Sequence, residues 1–174
     1  TLYSYTWNGP NVTNVHTSSL TNLVAGNYVL TVTDTNGCNL TKNIVLTQPT
    51  PLSTQVIPTV VAGGFNITCR GTNTGVITVI DGGGTAPYTY TWTDSAGTVI
   101  ANTANIDSLY AGTYTIAVAD ANGCDTLVTV TLTEPLELND TITSPVFIGG
   151  TSLRCFNDNS GSIIISEVGG APPF

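Results

Sequence analysis

The chain repeats itself at a fixed distance. The stretch AGNYVLTVTDTNGC at residues 25–38 returns as AGTYTIAVADANGC at residues 111–124. The same 86 positions separate Cys38 from Cys124, Pro49 from Pro135, and Cys69 from Cys155. A fixed period along the whole chain indicates tandem units, and a period of this length suits a small β domain with its own core.

The period divides the chain into three parts. We predict that residues 50–135 form one complete repeat, that residues 1–49 are the C-terminal part of the repeat before it, and that residues 136–174 are the N-terminal part of the next. The segments TQPTPL and TEPLEL predict short, stiff linkers, since proline has no N–H with which to continue a strand. We therefore expect this chain to be a segment of a longer array.

Alternation of apolar residues with threonine predicts strands almost everywhere. Tyr114, Ile116 and Val118 share one face, while Thr115 and Ala117 face the other way. The turns DTNG and DANG separate such runs, as in β-hairpins. About seven strands per unit predict an all-β fold of tandem Ig-like two-sheet sandwiches. We expect a core that contains Val79, Tyr90, Trp92, Tyr114, Ile116, Val118, Val130 and Leu132.

Composition excludes several functions. Only 8% of the residues are charged and the net charge is −8, which argues against nucleic acid and anionic membrane surfaces as partners. No apolar run reaches the roughly 20 residues of a spanning helix, so no membrane insertion is predicted. The 41% of apolar residues is enough to fill β cores, which argues against disorder.

The sequence contains no recognisable catalytic pattern. His16 is the single histidine and has no counterpart in the second copy, so we interpret it as a surface residue. No nucleophile elbow, calcium loop or paired carboxylates occur. Tyr88, Tyr90 and Trp92 could stack on a sugar, but their alternation favours core packing. We predict no enzyme activity and no catalytic, cofactor-binding or metal-binding residues.

The ordered motifs resemble a known family. GGTAPYTYTW, then AGTYTIAVADANGC, then TEP, then a cysteine followed by a glycine-containing loop are similar to the SprB repeat of giant secreted Bacteroidetes adhesins. The resemblance implies Ig-like sandwiches, type IX secretion, and display outside the cell as a long surface filament, as in gliding motility. We expect neighbouring repeats of the same chain as partners, with surface polysaccharide or other filament subunits as further candidates.

Four cysteines occupy two positions of the repeat. Cys38, Cys69, Cys124 and Cys155 include no C-x-x-C pair, so disulfides are a better interpretation than zinc. Cys124 follows the last hairpin of its sandwich, whereas Cys69 is predicted at the opposite end. This favours bridges between successive domains. A Cys69–Cys124 bridge, bridges between sequence neighbours, and free thiols stay open as alternatives.

A second bias concerns aspartate. Four aspartates precede Ser or Thr and then an apolar residue, which matches the O-glycosylation signal that Bacteroidetes use on exported proteins. The alternative is that Asp-Thr pairs are simply common in threonine-rich strands. The candidate acceptors are Ser95, Ser108, Thr126 and Thr141.

Three functional hypotheses follow. The leading one is a structural repeat of an extracellular filament or adhesin on the bacterial cell surface, giving reach and mechanical strength for adhesion or gliding. The second is a ligand-binding Ig-like module for a glycan or protein. The third is an accessory sandwich of a secreted enzyme.

Overall fold

The computed structural model describes residues 2–171, and these residues form thirteen strands with almost no helix. The chain separates into two compact units, Thr1–Thr50 and Pro51–Phe174. The all-β class expected from the alternating pattern is confirmed. The repeat boundaries remain predictions.

The first unit is one antiparallel sheet. Its strands are β1 (Ser4–Gly9), β2 (Val12–Val15), β3 (Gly26–Thr33) and β4 (Asn39–Leu46), in the order β2-β1-β3-β4. Threonines pair across β3 and β4, where Thr31 lies opposite Thr41 on the solvated face. Among the described residues of this unit, Tyr28 is the one hydrophobic residue that is fully buried, and Gly9 makes room for its ring.

The second unit contains a seven-stranded sandwich. Its strands are β5 (Ser53–Pro58), β6 (Gly75–Gly82), β7 (Thr89–Thr93), β8 (Val99–Ala101), β9 (Ile106–Leu109), β10 (Gly112–Ala119) and β11 (Asp125–Leu132). One sheet has the order β5-β6-β9 and the other β11-β10-β7-β8, all antiparallel. Seven strands in two sheets match the number expected from the turn spacing.

The core lies between the two sheets. Trp92, Ile116 and Val118 from one sheet meet Ile77 from the other, and all four are fully buried. Every residue expected in the core contributes to it, although Val79, Tyr90 and Val130 are half-buried and pack against its edge. The structure adds four residues that were not among those expected in the core: Ile67, Ile77, Ile106 and Leu109.

Two aromatic side chains fasten the sandwich through polar ends. The Tyr114 hydroxyl donates to the Tyr110 carbonyl at 3.0 Å, and Trp92 Nε1 donates to the Thr103 carbonyl at 3.0 Å. A tyrosine near the start of this strand that bonds a few residues upstream is a recurring feature of Ig-like sandwiches. Burial of both rings therefore leaves neither polar atom unpaired.

A further hairpin follows the sandwich. β12 (Leu136–Thr143) pairs with β13 (Ile164–Gly170). Asn139 lies opposite Val168, as Ser53 lies opposite Gly82 in the β5–β6 pair, so the register recurs at 86 positions. The only helix in the described range is the 3₁₀ turn Ala62–Gly64.

Candidate functional site

Asp120 organises one end of the sandwich, the end at which its first strand, β5, begins. This buried carboxylate accepts hydrogen bonds from the backbone N–H groups of Thr85, Asn122 and Cys124, each at 2.9 Å. Burial alone would raise the pKa of Asp120, but the three backbone donors outweigh it and hold the pKa below its usual value. The hairpin turn is thereby locked to the loop that holds Thr85.

The opposite end is organised by Asn66. This buried amide accepts the backbone N–H of Thr133 at 3.0 Å and donates to the Thr59 carbonyl at 2.9 Å. The N–H groups of Asn66 and Ile67 both donate to the Thr133 carbonyl. The loop between β5 and β6 is thus tied to the point where β11 ends.

Directly beyond that point, the connecting segment is bonded back to the sandwich. Gly71 N–H donates to Glu134 Oε2 at 2.7 Å, and Arg70 pairs with Glu137 at 3.4 Å. Pro135 between the two glutamates is buried. We name this region, residues 68–71 with residues 133–138, the joint.

The two kinds of contact at the joint differ in strength. The Arg70–Glu137 pair is exposed, so we expect it to contribute less than about 1 kcal/mol. The bond from Gly71 joins a backbone donor to a charged acceptor, which is the stronger type. The joint is therefore held mainly by Glu134 and by the burial of Pro135.

A groove runs along the joint. It has a volume of about 390 Å³, and Cys69, Pro135, Leu136, Leu138, Gly170 and Ala171 are among the residues that line it. Leu136 and Leu138 are well exposed at 72% and 60%.

The four cysteines are exposed and unbonded within the described residues. Cys69 lies at the joint, whereas Cys124 directly precedes β11, which ends beside the joint. Eight residues of extended strand span about 25 Å. A disulfide requires Cα atoms within about 7 Å, so this fold keeps Cys69 and Cys124 of one sandwich apart. The disulfide pattern stays a prediction.

The proposed glycosylation acceptors lie on the surface to different degrees. Ser95, Ser108 and Thr141 are exposed, while Thr126 is half-buried. Ser108 has a left-handed backbone (φ 57°), and its hydroxyl donates to Asp107 at 2.8 Å. Accessibility is compatible with modification at these positions, but whether they are modified stays a prediction.

Within residues 2–171, no group of three metal-ligating side chains comes together. His16 is exposed, and its Nδ1 lies 2.8 Å from the Tyr5 carbonyl. The structure of these residues also holds no helix with the length and apolar character of a membrane span. Trp92 is fully buried, so it is a core residue and does not form a sugar-stacking surface.

A comparison with protein families finds a match within the sandwich. Residues 66–97, from Asn66 just before the joint through the turn after β7, match the family model described as SprB repeat. This segment is similar to the SprB repeat. The match confirms the resemblance that the ordered motifs predicted. SprB repeats are modules of surface adhesins and are a non-catalytic module type.

Two other comparisons concern curated proteins and solved structures. None of the curated proteins matches this chain. Among solved structures, the chain is similar to one described as the structure of amphioxus IgVJ-C2 molecule, with 16% identity and a TM-score of 0.35. That likeness covers 75% of this chain and 88% of the other.

Sequence reasoning did not find the residues that build the joint. The sequence predicts Glu134 only as part of a linker, and it predicts no structural role for Asn66, which lies just before the joint. The period does not reveal these residues, because the neighbouring copies have Gln48 in place of Glu134 and Ser152 in place of Asn66. The proximity of Glu134 to Gly71, 63 positions away in sequence, is decided by the sandwich topology.

Proposed function

We propose that this chain is a structural repeat segment of a long extracellular filament or adhesin on the bacterial cell surface. In this role each sandwich supplies length, and the connection between sandwiches supplies stiffness for adhesion or gliding. The observation that carries the proposal is the joint, in which the segment leaving β11 is bonded back to its own sandwich. The SprB match supports the same role.

The joint supports a load-bearing role for a physical reason. A flexible linker would contain few contacts and would let neighbouring domains reorient freely. Here Glu134 accepts from Gly71, Pro135 is buried, and Arg70 contacts Glu137. Tension applied along the chain would have to break these contacts before the segment could straighten.

The surface of the repeat suits an extracellular environment. Exposed cross-strand threonine pairs, such as Thr113–Thr131 and Thr115–Thr129, give β10 and β11 a polar surface that carries no charge. We propose neighbouring repeats as its direct partners, and surface polysaccharide or other filament subunits as further ones. Ser95, Ser108, Thr126 and Thr141 are its proposed glycan acceptors.

The first experiment concerns location. Antibodies raised against this chain should label intact cells of the source bacterium, and brief external protease treatment should remove the label. Labelling that requires permeabilised cells would contradict a surface filament. A periplasmic protein labelled in parallel controls for leakage.

The second experiment separates a spacer from a binding module. Residues 50–135 are deleted from the parent protein, which preserves the repeat register because the deletion is one period long. A spacer predicts that adhesion survives with a shorter reach, whereas a ligand-binding module predicts loss of adhesion. The matched control is Trp92→Ala in the undeleted protein, which keeps the length of the chain and disrupts the same sandwich.

A further inference from the structure

Cys69 lies beside the β12–β13 hairpin that follows the sandwich. It lines the groove of the joint together with Gly170 and Ala171, which lie at the end of β13 and beyond it. Cys69 is itself exposed. A thiol at this position is therefore accessible from the side on which the following repeat begins.

The complete sandwich shows what lies against the residues equivalent to Gly170 and Ala171. These equivalents, 86 positions earlier, are Gly84 and Thr85. Thr85 N–H donates to Asp120 Oδ2 at 2.9 Å, and Ala121 N–H donates to the Thr85 carbonyl at 2.8 Å. Thr85 is thereby fixed against the hairpin turn that ends at Cys124.

The same turn can form in the following repeat. Both bonds just described use backbone atoms of Thr85, so alanine at position 171 retains them. Only the bond from Asn122 Nδ2 to the Thr85 hydroxyl is lost. The β12–β13 register already reproduces that of β5–β6, so the period holds up to this point of the chain.

From these placements we infer that the cysteine at each joint, such as Cys69, forms a disulfide with the turn cysteine of the next repeat. The turn cysteine of that repeat is the counterpart of Cys124, one period further along. This inference rests on the tandem arrangement of the proposed function. It assigns Cys69 and Cys124 of one sandwich to two different bridges, one at each end.

The bond forms by oxidation of two thiols. A small-molecule disulfide serves as oxidant: one cysteine thiolate attacks it, releases one thiol and forms a mixed disulfide, which the second cysteine resolves with release of the other thiol. Two protons and two electrons pass from the protein cysteines to the oxidant. Exposure of both cysteines is what this exchange requires.

The test begins with the chain as it stands, residues 1–174, incubated with oxidised glutathione. The inferred partners of all four cysteines lie outside this sequence, so no internal disulfide should form. Non-reducing peptide mapping should find each cysteine separate from the other three. A Cys69–Cys124, Cys38–Cys69 or Cys124–Cys155 bridge would overturn the inference.

The decisive step completes the second repeat. A copy of residues 89–135 is fused after Phe174, so that Phe174 takes the place of Tyr88 and the turn cysteine is supplied one period after Cys124. Oxidation should now link Cys69 to this added cysteine. Cys69→Ser should abolish that link, while the matched variant Cys155→Ser should preserve it.

The opposite result is equally clear. If Cys69 stays fully open to alkylation after oxidation of the extended chain, the inference is wrong. Burial of the added tryptophan, measured by fluorescence, verifies that the second sandwich has folded. Neither result depends on the cell-surface labelling, so a failure of the disulfide and a failure of the proposed function are separate outcomes.

Discussion

The four-stranded first unit and the complete sandwich use corresponding strands in different surroundings. β3 and β10 begin and end 86 positions apart, and so do β4 and β11. Trp7 Nε1 donates to the Thr17 carbonyl at 2.9 Å, as Trp92 does to Thr103. Yet Trp92 is fully buried, whereas Trp7 is half-buried.

The difference separates local from tertiary effects. Within each unit, the hydrogen bonds of the turns and aromatic rings recur whether or not a second sheet faces them. The burial of equivalent residues does not recur. Ile77 is 0% exposed in β6, whereas Ile163, 86 positions later, is 73% exposed. Strand pairing is therefore set by short stretches of sequence, and the core by the facing sheet.

The largest expected effect is at the tryptophans. Trp92→Ala should lower the free energy of unfolding of the sandwich by about 3–5 kcal/mol, because it leaves a cavity in a packed core. Trp7→Ala should cost about 1 kcal/mol in the first unit, where less surface is buried. Hydrogen exchange of the β10 and β3 amides measures each unit in the same chain. Equal losses would contradict the comparison.

The next effect is at the turn carboxylates. Asp120→Asn should destabilise the sandwich at neutral pH by less than Trp92→Ala but more than Asp34→Asn destabilises the first unit. Asp120 is buried and accepts from three backbone donors, whereas the Asp34 carboxylate accepts from the N–H groups of Asn36 and Cys38.

The pH dependence checks this assignment. Because the pKa of Asp120 is lowered in the fold, its stabilising effect is complete above the unfolded value of about 3.9 and disappears as the pH falls through the lower folded value. The difference between the native chain and Asp120→Asn in urea unfolding should therefore shrink in acid. A difference that stays constant from neutral pH to strong acid would contradict it.

A smaller effect, of the same size in both units, is expected at two tyrosines. Tyr114 donates to the Tyr110 carbonyl, and Tyr28 donates to the Val24 carbonyl at 2.8 Å. Tyr114→Phe and Tyr28→Phe each remove one hydrogen bond and should each cost about 1 kcal/mol. Hydrogen exchange of the two units tests this pair. A loss confined to the sandwich would show that the bond depends on the second sheet.

The last prediction concerns the titration of Tyr90. Its hydroxyl donates to Asp81 Oδ2 at 2.8 Å, and this hydrogen bond, with burial and the Asp81 charge, raises the pKa of Tyr90 to about 12. The resulting stabilisation is complete below the unfolded pKa of about 10 and is lost as the pH rises through about 12.

Ultraviolet absorbance of tyrosinate measures this titration, and Tyr90→Phe identifies the signal that belongs to Tyr90. Asp81→Asn should bring the pKa of Tyr90 down toward its ordinary value. A Tyr90 titration that is unchanged by Asp81→Asn would remove the carboxylate from the explanation.

The sequence alone determined the all-β class, the period and most of the core. It did so because strand alternation and turn chemistry are local: Tyr114, Ile116 and Val118 fall on one face wherever their strand lies. Turns likewise depend on neighbours, and Gly123 supplies the left-handed residue (φ 79°) that the DANG hairpin needs. These features can be predicted without knowing which strands are neighbours.

The tertiary structure alone decided the contacts at and beside the joint. Glu134 meets Gly71, and Asn66 meets Thr133, because β11 ends beside the loop between β5 and β6. Such contacts join residues far apart in sequence, and Glu134, Asn66 and Gly71 differ from their counterparts in the other copies, so neither the period nor alternation reveals them. They depend on which strands are neighbours, and that choice is made by packing two apolar faces against each other.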